Sequence, residues 1–172
     1  MPIYALGDNS PVIHESAFVH PDAVVIGSVT IGADSSIWAC AVLRGDEGEI
    51  VIGQRTSIQD GTIVHTTPYA HTTVGDDCVV GHAVHLEGCT LENGSQASSG
   101  SVILHRAVIG TGAIVAANAV VLNDTVVPSG ALAVGAPVVI KEGRARVQDI
   151  MYAAEAYVHK GRHFKQHLRR LD

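Results

Sequence analysis

At 172 residues, with 47% apolar residues and a formal net charge of −6, the chain has the size and polarity of one globular domain with a real core. No window reaches the roughly 18 apolar residues of a membrane-spanning helix, and the opening MPIYALGDNS lacks the basic and apolar segments of a secretory leader. Cys40, Cys78 and Cys89 form no Cys-x-x-Cys pair, which predicts buried thiols in a reducing compartment and hence a cytoplasmic protein with no membrane attachment.

Aromatic residues make up only 4%, so the core must be built from Val, Ile, Leu and Ala, which suit a thin, layered interior. Only Arg44, Arg55 and Arg106 are basic before residue 141, whereas Lys and Arg outnumber Asp and Glu after it. No aromatic platform or nucleic-acid motif accompanies that basic tail, so it reads as a solvated helix face and no nucleic-acid partner is expected.

From residue 31 onward, aliphatic residues recur every six positions. Ile31, Ile37 and Leu43 are followed by Ile52, Ile58 and Val64, then by Val74, Val80 and Leu86. Leu91, Ala97 and Ile103 continue the series, and Ile109, Val115 and Val121 close it. Gly often stands one place later, as in Ile31-Gly32, Ile52-Gly53 and Val80-Gly81. A helix wants apolar residues every three or four positions and a lone strand every two. Period six instead means short strands joined by tight corners, the pattern of a hexapeptide β-helix. One aliphatic side chain per strand points into a narrow prism, and coils stack at about 4.8 Å.

Two segments break the six: RGDEGEIV after Leu43 and HTTPYAHTT after Val64. They are expected to bulge out as loops, where functional groups concentrate. Past Pro137 the period changes. Val147, Ile150, Met151, Ala154, Tyr157 and Val158 fall at helical spacing, which predicts an amphipathic helix from about 144 to 160, with 169 as its outer limit. Gly161 is a candidate weak point or stop. The expected organisation is mainly β: a parallel β-helix over 1–143 and a C-terminal helix over 144–172 packed on it, in a single domain. Tyr157 and Met151 are expected to be packing residues.

The repeat gives the polar residues a register. His65 follows Val64 and Glu87 follows Leu86, so both lie on one face, one coil apart, and their side chains can converge on one ion. His82, two places after Val80, lies on a neighbouring face and meets them only from the next subunit of a threefold trimer. His85 shares strand parity with Glu87 and is either a competing ligand or a support for the site. His14, His20, His71, His105, His159, His163 and His167 have no such register and read as surface or loop residues.

Three segments, LRGDEGEIVIG (43–53), SIQDGTIVH (57–65) and VGHAVHLEGC (80–89), resemble the γ-class carbonic anhydrases and their bacterial relatives over nearly the whole chain. The resemblance implies a left-handed parallel β-helix and a homotrimer with Zn2+, or alternatively Fe2+, at each subunit seam. It implies reversible hydration of CO2 to bicarbonate by metal-bound hydroxide. His65 and His82 correspond to ligands, His82 given from the adjacent subunit. Arg44 and Asp46 correspond to interface ion-pair residues, with Asp60 beside them. Gln59 corresponds to the glutamine near the metal-bound water and Glu47 to a proton acceptor. A second loop acid of one branch of the family has no counterpart, with His71 the available substitute.

One position departs from the pattern. The family's third ligand is a histidine where this chain has Glu87, and Gly88-Cys89 fixes the alignment. His85 stands two places early. A carboxylate ligand removes one unit of charge from the site, so a bound water should be a weaker acid, with slower CO2 hydration near neutrality and a raised alkaline optimum. Two other readings stay open: a non-catalytic metal-binding trimeric scaffold, and a hexapeptide acyltransferase or thioesterase.

Overall fold

The computed structural model describes residues 2–172. Each coil carries three short strands. In one, Ser57–Ile58, Ile63–His65 and Thr72–Val74 follow in turn, and Val79–Val80 then pairs in parallel with Ser57–Ile58 to begin the next. The result is a parallel β-solenoid. One eight-stranded ladder runs from Phe18–Val19 to Leu132–Val134 and ends on the antiparallel strand Val139–Lys141. The other two faces join into one twelve-stranded sheet because the strands Val24–Ile31 and Val42–Ile52 run through the corner between them.

Every aliphatic residue of the six-residue series points inward and is fully buried, from Ile31 to Val121. Full burial of each large aliphatic side chain stabilises by about 1.5–3 kcal/mol, so this ladder is the main source of stability. The corners are tight. At one of them Asp34, Arg55 and Asp77 hold left-handed backbone on successive coils. Hydroxyls buried at the corners satisfy the coil above: Thr56 Oγ1 donates to the Gly75 carbonyl and Thr62 Oγ1 to that of Gly81, both at 2.7 Å. Arg55 pairs with Asp77, and Arg106 with Asp124, through two hydrogen bonds each between coils.

The first insertion differs from expectation. RGDEGEIV does not leave the scaffold as a loop; it is the middle of the strand Val42–Ile52. The neighbouring strand Val24–Ile31 offers partners on both sides, so the chain stays extended and only the 46–49 segment bulges out of register. The bulge needs glycines: a Cβ on Gly27 would lie 2.3 Å from the Gly45 carbonyl oxygen. The second insertion is a loop, reversing direction through a bridge between Thr67 and Ala70. The bulge and this loop touch where His71 Nδ1 accepts the Glu49 backbone N–H at 2.9 Å.

The helix spans Val147–His167 and lies across the eight-stranded ladder. Ile150, Ala154, Val158 and Gly161 form its buried stripe. Gly161 does not end it, because the missing side chain is what lets the helix approach. A Cβ there would stand 3.2 Å from Ser36 Cβ and 3.5 Å from Phe18 Cβ. Phe18, Trp38, Tyr157 and Phe164 pack together at this junction. Tyr157 packs as expected, whereas Met151 is exposed, just outside the buried stripe. Cys78 and Cys89 are buried, but Cys40 is exposed at a corner where its backbone is left-handed. Burial pushes the Cys89 thiol up to about 12. No helix among the described residues is long and apolar enough to cross a membrane.

Candidate metal centre

Strand pairing stacks Arg44, His65 and Glu87 on three successive coils. All three follow a buried aliphatic residue, so they stand at the same end of one solenoid face. His65 lies between two carboxylates. Its Nδ1 is 3.1 Å from Glu87 Oε1 and its Nε2 is 3.1 Å from Asp46 Oδ1. Arg44 donates to the other oxygen of Asp46. The two residues expected to form interface ion pairs thus pair with one another inside a chain.

Glu87 has three imidazole neighbours. His85 Nε2 lies 3.1 Å from Oε2, while His65 Nδ1 and His105 Nε2 lie 3.1 and 3.6 Å from Oε1. Partial burial alone would raise the Glu87 carboxyl. Hydrogen bonds from His85 and His65 and the nearby His105 outweigh it and hold the carboxyl below its ordinary value. Burial opposes ionisation of Asp46 too, and is outweighed by its own backbone N–H, by His65 and by Arg44. His85 therefore supports Glu87 directly. His105, read from sequence as a surface residue, is a member of the same cluster. No spacing signal marks it, because it opens the corner after Leu104 and reaches back over Gly88.

The remaining expected residues lie elsewhere. His82, Asp60 and Gln59 occupy the corner at the opposite edge of this face, five residues before Glu87 in the case of His82. His82 Nδ1 is 3.0 Å from Asp60 Oδ2, and both side chains are about half exposed. Gln59 is buried at that corner. Glu47 is exposed on the 46–49 bulge beside Asp46. Among the described residues, no three His, Cys, Asp or Glu side chains of one chain are grouped to hold a metal ion.

The donor chemistry nevertheless suits zinc or ferrous iron. Two donors on one tetrahedral ion, with bonds of about 2.0–2.1 Å, are roughly 3.3 Å apart. His65 Nδ1 and Glu87 Oε1 stand at 3.1 Å. A ligating imidazole usually gives its other nitrogen to a carboxylate, and the His82–Asp60 pair has that form, leaving Nε2 available.

Comparison with known proteins fits the solenoid fold. Residues 10–45 match the family model "Bacterial transferase hexapeptide (six repeats)". A crystal structure of a hexapeptide transferase family protein from Anaplasma phagocytophilum is 33% identical, with 95% of this chain and 98% of that one aligned at a TM-score of 0.91. This chain belongs to the hexapeptide-repeat β-helix family. A second crystal structure, of a Bacillus cereus protein provisionally named an acetyltransferase, is also 33% identical, with 95% and 96% of the two chains aligned at a TM-score of 0.93. Curated relatives carry other names. The mitochondrial gamma carbonic anhydrase 2 of Arabidopsis thaliana is 41% identical over 108 residues, 59% of this chain and 39% of the plant protein. Carnitine operon protein CaiE of Escherichia coli K12 is 42% identical over 110 residues, 64% of this chain and 56% of CaiE. Both matches span less than two thirds of the relative's length. Within the hexapeptide-repeat family, this chain is thus similar to proteins named gamma carbonic anhydrase and CaiE.

Proposed function

We propose that the protein is a γ-carbonic-anhydrase-like enzyme acting on CO2 and bicarbonate at the seams of a homotrimer. His65 and Glu87 of one subunit and His82 of the next would hold a zinc or ferrous ion. The observation that carries this reading is the strand register placing the His65 and Glu87 donors 3.1 Å apart, at the opposite edge of a face from His82. A threefold arrangement brings those two edges together from neighbouring chains. Bound metal would supply Lewis-acid activation of water.

The chain's own residues supply the rest. Asp60 holds His82 by Nδ1, and Asp46, itself held by Arg44, takes one nitrogen of His65. Glu47, exposed on the neighbouring bulge, would carry a proton to buffer. His71 has its Nδ1 committed to the Glu49 N–H, leaving at most Nε2 for that task. With Glu87 as a donor, the site would carry one unit less positive charge and would activate water more weakly near neutral pH.

The decisive experiment is a pH–rate profile for CO2 hydration by metal-loaded protein beside Glu87→His. The substitution should raise activity near neutral pH; equal or lower activity in an equally loaded trimer rejects the charge argument. One observation favours a second reading, a non-catalytic trimeric scaffold. Both nitrogens of His65 are already paired with carboxylates, and Glu87 with His65 and His85, so these contacts form without an ion. A trimer that takes up no zinc or iron after supplementation would establish the scaffold instead.

A further inference from the structure

His105 lies outside every motif of the sequence, yet its surroundings are specific. Leu86 pairs with Ile103, so Leu104 takes the place of Glu87 on the next coil and His105 opens the following corner. Its side chain is 20% exposed, but its Nε2 is buried and has no hydrogen-bond partner. That nitrogen lies 3.6 Å from Glu87 Oε1, a small shift from hydrogen-bond distance. A buried side-chain nitrogen without a partner is uncommon and calls for a reason.

The ring is confined on two sides. Gly88 has a φ of +60°, and a Cβ there would stand 3.0 Å from His105 Cδ2 and 2.7 Å from Ala70 Cβ. The Tyr69 ring lies 6.0 Å away, centroid to centroid. The adjacent Arg106 is engaged by Asp124 and does not compete for Glu87. The imidazole is therefore set against the carboxylate by the backbone and by the 65–73 loop.

A glutamate has one more rotatable bond than a histidine, so a carboxylate donor needs partners to fix it. His85 supplies one on Oε2 at 3.1 Å. We propose that His105 is the second positioning residue for Glu87, its Nε2–H directing Oε1 toward the ion shared with His65. This rests on the reading of Glu87 as a metal donor. It accounts for the partnerless nitrogen, for the glycine next to Glu87, and for the packing of the 65–73 loop against this coil.

The test is titration of the full-length, metal-stripped trimer with Zn2+ and Co2+, for wild type, His105→Ala, His105→Gln and Glu87→Ala. Outer partners of metal ligands typically contribute about 10–100-fold in affinity. His105→Ala should lose that much and change the visible Co2+ spectrum, with the trimer intact. His105→Gln, which keeps an N–H donor at similar reach, should recover much of the loss. Wild-type affinity and spectrum in His105→Ala would overturn the proposal. So would equal losses in both His105 variants, which would mark a packing role only. A wild type that binds no metal, or a Glu87→Ala protein that binds as tightly as wild type, would remove the donor reading and this proposal with it. Binding through Glu87 that is indifferent to His105 would remove this proposal alone.

Discussion

His65 and Glu87 are direct strand partners on adjacent coils, with Nδ1 and Oε1 3.1 Å apart. Their geometry depends on the two inward residues beside them, Val64 and Leu86, which are fully buried and also paired. Leu86→Ala should therefore destabilise by about 2–5 kcal/mol, the usual range for emptying a close-packed leucine site. It should also weaken the proposed metal binding, because partial collapse of the coil moves Glu87. Denaturant unfolding and metal titration of the same variant check both. Unchanged affinity in a strongly destabilised protein would show that the pair is held by something other than the inward ladder.

Gly88→Ala tests the link between this pair and the second insertion. Backbone at φ +60° is unfavourable for alanine, and the added Cβ would stand 2.7 Å from Ala70 Cβ. The loop or the coil must move. The expected result is a loss of roughly 1–3 kcal/mol with greater protease sensitivity in the 65–73 loop. A variant as stable as wild type, with the loop equally resistant, would show that the contact is slack.

The solenoid was legible because its signal is redundant: fifteen inward positions repeat one pattern, and every one is buried. The His65–Glu87 stack followed from the same register. His105 was not legible, since a corner residue that folds back over glycine has no periodic position. The RGDEGEIV segment departs from expectation for a related reason. A break in the six-residue count shows that residues are extra, but whether they leave the sheet depends on the partner strand, which here extends alongside. Gly161 was read as a breaker because helix propensity is local, whereas its role is set by Ser36 and Phe18 across the interface.

The helix contact offers an optical test. Gly161→Val would place a branched side chain against Ser36 and Phe18, at a cost of roughly 1–3 kcal/mol in a packed site. Trp38, the single tryptophan, packs on Tyr157 and Phe164 of the helix with ring centroids 5.6 and 5.0 Å away. Its emission should shift to the red as the helix lifts. Unshifted emission with full stability would mean the solenoid yields instead of the helix.

Asp34 ties the same helix to a corner and gives a pH-dependent contribution of known sign. Its hydrogen bond from Arg162 outweighs burial and holds the carboxyl below its ordinary value of 3.8. A depressed carboxylate stabilises fully above its unfolded value and loses that contribution as pH falls through the folded one. Asp34→Asn, which tolerates the left-handed backbone at this corner, should cost under about 1 kcal/mol at pH 6, because Arg162 is more than half exposed. The difference should shrink toward zero as pH falls below 3.8 and through the depressed folded value. Paired denaturant curves measure it, and a difference that grows in acid would reverse the assignment.

The proposed seam makes a prediction about mixtures. His65→Ala and His82→Ala homotrimers should each lack complete sites, since every seam would need one residue from each side. Co-expression of the two variants should restore some. A seam is intact when the subunit giving His65 carries the His82 change and its neighbour carries the His65 change, which random assembly satisfies in about one quarter of seams. Metal content should recover to that fraction of wild type. His82 is half exposed and paired only with Asp60, so its removal should leave the monomer fold unaltered. If His82→Ala trimers keep full metal content by themselves, the ion is held within one chain, and the face that carries His65 and Glu87 has no need of a neighbour.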